Sequence, residues 1–150
     1  MAATRQTSAR TAKLRATTTP AKLRAGAPRA TGKKVAAADL SGSGGVDPLK
    51  VARDLGITKS DLAATLGLPA DALVREERIK ADKTQARLSE LLEILGRVEP
   101  WSGGLRAAFA WYRGQGIPAL GDETAEALVK TNRAGHVRTY LNAIAAGSFA

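Results

Sequence analysis

From Asp82 onward the apolar residues Leu88, Leu91, Leu92, Leu95 and Val98 fall at i, i+3, i+4, i+7 and i+10. This is the most regular stripe in the chain and predicts a long amphipathic helix, opened by Asp82 with Gln85 in its first turn. Shorter helices are marked upstream by their punctuation. Asp47-Pro48 supplies an N-cap and an N1 proline, and Gly56 a stop, so a helix is expected near 47–55. Thr58-Lys59-Ser60-Asp61 resembles a capping box, and Leu62, Ala63 and Leu66 follow before Gly67. Pro69 is placed to open another helix carrying Leu73, Val74 and Ile79. Beyond Pro100 the pattern restarts. Leu105, Ala108, Phe109 and Tyr112 share one face of a helix from about Ser102 to Arg113, followed by a loop over residues 114–118. Ala125, Leu128 and Val129 mark a short helix from near Asp122. Val137, Tyr140, Leu141 and Ile144 mark a last one, ended by Gly147. No segment alternates with period two, so the expectation is an all-α fold of six or seven helices without a sheet.

Residues 58–76 carry the constraints of a helix-turn-helix. Ala63 is the small residue that lets a second helix cross closely, and Gly67 stands four residues later in the turn. Leu62, Leu66, Leu68 and Leu73 occupy inward positions, whereas the last expected apolar position holds Glu76. An ordinary helical hairpin that uses Gly67 as a stop is the alternative. The positions facing a major groove would be Pro69, Ala70, Asp71, Val74 and Arg75. Lys59 and Ser60 are placed for phosphates, and Arg75 and Arg78 complete the candidate DNA-binding set. Base readout favours Arg, Asn, Gln or Lys at groove positions, and Asp71, Glu76 and Glu77 oppose the DNA backbone.

Charge changes this picture at one end only. The chain has 150 residues and a net charge of +9, of which residues 1–40 hold nine Lys/Arg against the single acid Asp39. The remaining residues nearly balance. Residues 1–45 lack a sustained apolar period and repeat Ala12-Lys13-Leu14-Arg15-Ala16 as Ala21-Lys22-Leu23-Arg24-Ala25. They read as a disordered basic arm able to meet phosphates, or equally as a solubilising tail, with an organellar transit peptide as a lesser alternative. Ser41-Gly42-Ser43-Gly44-Gly45 reads as a flexible linker. Cysteine is absent, which removes disulfides and thiolate metal sites and fits a cytoplasmic location. No apolar run approaches the ~20 residues of a membrane span. Aromatics are only 4% of the chain, so the core is expected to be built from aliphatic side chains.

Catalytic chemistry finds few residues. His136 is the only histidine and sits near the start of an amphipathic helix. Asp122 and Glu126 are spaced i, i+4, a common arrangement for a solvated helix face. Gly26 to Lys34 departs from a phosphate-binding loop in its glycine spacing and in having Lys34 where Ser or Thr is required. The expectation is therefore a protein without catalytic residues, metal or cofactor.

The segment from about Gly96 to Ala150 resembles the C-terminal toxin-binding domain of the Xre/MbcA/ParS antitoxin family. The residues that carry the likeness are Glu99-Pro100-Trp101, Leu105 through Trp111, Ile117-Pro118-Ala119-Leu120-Gly121 and Thr124 through Val129. Val137-Arg138, Tyr140-Leu141, Ile144 and Gly147-Ser148-Phe149-Ala150 complete it. With the upstream region the resemblance covers 47–150 and excludes the basic tail. With the tail as its composition reads, this gives three segments: an arm and linker over 1–45, a helix-turn-helix-like domain over 46–98, and, as the resemblance implies, a toxin-binding domain over 99–150. It also implies the antitoxin of a type II toxin–antitoxin pair. Such an antitoxin is typically dimeric, blocks the active site of an NAD-consuming toxin (RES-type or a related ADP-ribosyltransferase) and binds operator DNA in some cases. The residues it assigns to toxin binding are Arg138, Tyr140, Leu141, Asn142, Ile144, Phe149 and Ala150. Tyr140, Leu141 and Ile144 serve equally well as core of the domain, a role that suits Leu141 and Ile144 better. A helix-turn-helix DNA-binding regulator without a toxin partner is the alternative reading.

Overall fold

The computed structural model describes residues 36–147. A 3₁₀ turn, Ala37–Leu40, leads into two short antiparallel strands, β1 (Ser41–Gly42) and β2 (Gly45–Val46), paired Ser41 with Val46 and Gly42 with Gly45. Seven α-helices follow among the described residues: α1 (Pro48–Leu55), α2 (Lys59–Thr65), α3 (Glu76–Ile79), α4 (Asp82–Ser102), α5 (Leu105–Gly114), α6 (Ala125–Lys130) and α7 (Ala134–Ala145). Strands β3 (Gly116–Ile117) and β4 (Glu123–Thr124) form a second antiparallel pair between α5 and α6, bridged by a 3₁₀ turn over Pro118–Leu120. The fold is mostly helical, and the expected absence of strands is corrected by these two short pairings.

Helix starts follow the local chemistry. Asp47 caps α1 by accepting from Leu49 N at 2.9 Å, and Gly56 closes the helix in the left-handed region. Thr58 caps α2 by accepting from Asp61 N at 3.1 Å, while its hydroxyl donates to Asp61 Oδ2 at 2.7 Å. The hydroxyl bond, helped by Thr58 N donating to the same oxygen at 3.3 Å, holds the Asp61 carboxyl below its ordinary range. The long stripe behaves as its spacing requires: Leu88, Leu91, Leu92, Leu95 and Val98 are all buried, with Ile94 beside them.

Four expectations are corrected. The segment 41–45 is a tight hairpin instead of a free linker, because Gln85 grips it from α4. Its side chain accepts from Val46 N at 2.8 Å and donates to Val46 O at 3.1 Å, as a neighbouring strand would. Gln85 is thus a tertiary clamp as well as a first-turn residue. The helix expected to open at Pro69 does not form: residues 70–74 are successive turns, with Ala72 N bonded to Pro69 O and Val74 N to Asp71 O. Ala72 and Leu73 are drawn into the core, and Arg75 is extended (φ −89°, ψ 129°), which ends the run and begins α3. Helix α4 passes through the boundary drawn at residue 98/99. Pro100 lacks an N–H, but it stands in the last turn, and the residue four before it is Gly96. Finally, α6 begins at Ala125 instead of near Asp122, because Thr124 caps it (Ala127 N to Thr124 Oγ1, 3.2 Å).

One aliphatic core runs from Ala37 through Leu62, Leu66, Leu91 and Leu95 to Val137 and Leu141, so both halves of the described chain share it. Gly116 is forced by close approach: a Cβ there would stand 2.7 Å from Asp122 O, in the turn just before its partner strand.

Candidate functional site

The last helix is placed by a ladder of polar contacts along α4. Arg87 donates to Val129 O at the end of α6 and to the Asn132 side chain. Arg138 on α7 donates to Glu93 Oε2 at 2.9 Å and stands 3.6 Å from Glu90 Oε1. Arg97 meets both Glu93 (3.0 Å) and the Asn142 side chain. Three of these contacts join residues separated by the same 45 positions: Arg87 to Asn132, Glu93 to Arg138 and Arg97 to Asn142. A constant offset means that α4 and the chain over 132–142 run in parallel. Beneath the ladder, Val137 and Leu141 are buried.

The seven residues assigned to toxin binding therefore fall into distinct groups. Leu141 is core. Arg138 and Asn142 are engaged with α4 in the isolated chain. Tyr140 and Ile144 are half-buried on α7, and Tyr140 packs against the core. Phe149 and Ala150 lie outside the described residues.

Residues 1–35, with the basic repeats and the glycine-lysine segment, also lie outside. Of the candidate DNA contacts, Lys59 opens α2 half-buried, while Ser60 and Arg75 are exposed. Arg78 is paired with Asp71 at 2.7 Å, so its charge is already opposed. Pro69, Ala70, Val74 and Arg75 are exposed, Val74 at 62%, with 70–74 in the run of turns that stands where the second helix was expected.

The acidic pair singled out in the sequence is not a pair. Asp122 sits before α6 with φ +59°, whereas Glu126 is tied to Lys130 (2.6 Å) and Arg113 (3.3 Å). Nearby, the Tyr112 hydroxyl is buried without a hydrogen-bond partner. Burial, reinforced by Glu126 and Glu90, raises its pKa far above the ordinary phenol value, so it stays neutral. His136 is exposed in the first turn of α7. Among the described residues no group of three or more His, Asp or Glu side chains is arranged to hold a metal ion. Among them, too, no helix is long and apolar enough to cross a membrane.

Sequence reasoning misses one feature of this end of the molecule. Trp101, the last large side chain of α4, is half exposed and meets Trp111 of α5 edge-on, with ring centroids 5.6 Å apart. Both tryptophans are visible in the sequence as parts of a motif, but their pairing across the α4–α5 turn is not. No family model, no curated protein and no solved structure matches this chain.

Proposed function

We propose that this protein is the antitoxin of a type II pair, binding an NAD-consuming toxin of RES or ADP-ribosyltransferase type with α7 and the residues beyond it, and so blocking the toxin's active site. One observation carries the reading: many of the residues behind the family resemblance are the buried and capping residues that hold α6 and α7 to the core. Ile117, Leu128, Val129, Val137 and Leu141 are buried; Thr124 caps α6; Gly121 and Gly147 adopt left-handed turns. Tyr140 and Ile144, half-buried on α7, and residues 148–150 are the edge that a partner reads. Dimerisation and binding to operator DNA through Lys59, Ser60, Arg75 and the basic arm belong to the same proposal.

The test is co-expression with the open reading frame beside this gene. The unaltered chain should preserve cellular NAD and growth and copurify with the toxin. Removing residues 133–150 would also remove core side chains, so the cleaner variants are Ile144→Glu and deletion of 148–150. Both should restore NAD loss while leaving the helical spectrum intact. Full protection by both variants would refute this surface, and failure of the unaltered chain to protect would refute the antitoxin reading.

A further inference from the structure

The outward stripe of α4 is the floor of two shallow clefts that follow one another along the helix. The first is lined by Lys83, Ala86, Arg87 and Glu90, with Asn132 from the chain before α7 as its far wall. The second is lined by Ser89, Glu93, Gly96 and Arg97, with Ala37 and Ala38 of the first 3₁₀ turn opposite. They meet at Ser89 and Glu90. From Lys83 to Arg97 the floor rises about 21 Å, the length of a helix of roughly 14 residues.

The polar groups around this floor are unequally used. Glu90 and Glu93 spend both carboxylate oxygens inside the fold. Glu90 meets Arg87 at 3.4 Å and Arg138 at 3.6 Å, and Glu93 meets Arg97 at 3.0 Å and Arg138 at 2.9 Å. Against these two acids stand four cations: Lys83, Arg87, Arg97 and Arg138. Lys83 is exposed and belongs to none of the ion pairs among the described residues. Arg97 and Arg138 keep donors beyond those already bonded, because a guanidinium carries five N–H groups. Donors and positive charge are left over here, whereas the acidic oxygens are taken. That surplus selects the chemistry of an occupant, since charge-assisted bonds to carboxylates are the strong ones. The opposite wall of Ala37 and Ala38 has no charge and suits small apolar side chains. A nucleic-acid strand fits less well: its phosphates are continuous, and Glu90 and Glu93 interrupt the basic line.

We infer that the groove over α4, between the first 3₁₀ turn and α7, takes one amphipathic helix of a partner protein. Its carboxylates turn toward Lys83, Arg97 and Arg138, and its apolar side chains turn toward Ala37 and Ala38. The incoming acids add to the existing ladder without displacing it. The inference goes beyond the toxin-blocking proposal and does not depend on it, since it uses neither Ile144 nor residues 148–150.

The test is a selection from random peptides of about 14 residues displayed on phage, with the full chain as bait and Ser89→Tyr as counter-bait. Ser89 is exposed, so a tyrosine there stands in the groove. Both baits carry the same basic arm, which removes acidic peptides that merely meet the arm. The surviving peptides should carry Glu or Asp together with apolar residues at helical spacing. They should show no measurable binding to Ser89→Tyr and weaken about twofold to fivefold on Lys83→Gln. Survivors without acidic residues, or none that distinguish the two baits, would overturn the assignment. Duplex DNA that is retained by the unaltered chain and lost by Ser89→Tyr would assign the groove to nucleic acid, which also overturns it. Should Ser89→Tyr not keep the far-ultraviolet dichroism and melting temperature of the unaltered chain, Lys83→Glu takes its place as counter-bait. Acid-bearing peptides that prefer the unaltered chain then support the groove, and their absence overturns it.

Discussion

Two regions of the shared core are held by different physics. Around α1 and α2 the contacts are dry: Val51, Leu55, Leu62 and Leu66 are buried, and the polar bonds are mostly helix caps made within a few residues. Toward α7 a thin apolar floor of Val137 and Leu141 is edged by the Arg87–Glu90–Glu93–Arg97 ladder with Asn132, Arg138 and Asn142. The first kind of joint depends on area removed from water and is indifferent to salt. The second depends on partly solvated charge pairs, which can exchange partners at little cost.

The comparison breaks most sharply in the shared core. Leu91→Ala removes a fully buried side chain of α4 and should cost about 2–5 kcal/mol. Tryptophan emission, which reports the α5 end, and far-ultraviolet dichroism, which reports all helices, should lose the transition together in thermal melts. Separate midpoints would show that the halves do not share one core.

Next in size is Gly116→Val. Its Cβ would meet the Asp122 carbonyl at 2.7 Å, and overpacking of this kind costs about 1–3 kcal/mol. A lowered melting temperature with α1–α2 protection from hydrogen exchange retained locally would place the damage at β3–β4. An unchanged melting temperature would mean that the strand pair yields freely.

Thr58→Ala tests the dry side through its cap and should cost about 1 kcal/mol, measured by urea titration. The opposing test is a double-mutant cycle on Arg138→Ala and Glu93→Ala. Both side chains are about a third exposed, so their coupling should be roughly 0.2–1 kcal/mol and should shrink in 1 M salt. A coupling that ignores salt would place the pair with the dry contacts.

The smallest effect is acidic. The Arg133 guanidinium donates to Glu123 at 2.7 Å and holds its carboxyl below the usual range. A depressed folded-state pKa contributes stability above the unfolded value and loses it as pH falls through the folded one. Glu123→Gln should therefore lower stability slightly near neutrality, where the pair is fully formed, and change little once acid has protonated the native carboxyl, so that the acid limb is shallower. An identical acid limb in the variant would show that the pair does not contribute.

These two kinds of joint also explain what is legible in the sequence. Asp47, Gly56, Thr58 and the Leu88–Val98 stripe act within one or two helical turns, so their roles can be read from spacing. The hairpin at 41–46 is hidden by its Gly/Ser composition, since its order comes from Gln85, some 39 residues away. The turns at 70–74 are hidden because Pro69 is a good helix opener locally, and only the burial of Ala72 and Leu73 overrides it. In the candidate site, Arg138 and Asn142 stand out as polar residues on the right helix. That they grip α4 depends on a parallel packing that no local pattern encodes.

The 45-residue offset along α4 also bears on how the protein is made. During synthesis α4 emerges well before α7, and domains generally begin to fold as their chain becomes available. In that interval the uncovered flank of α4 presents Arg87, Glu90, Glu93 and Arg97, all content in water, with Glu90 and Glu93 already opposed by arginines on their own helix. The unfinished chain thus shows the ribosome's surroundings a charged edge where an apolar one would invite aggregation. The last helix closes the fold by adding longer-range contacts to these local pairs, which persist.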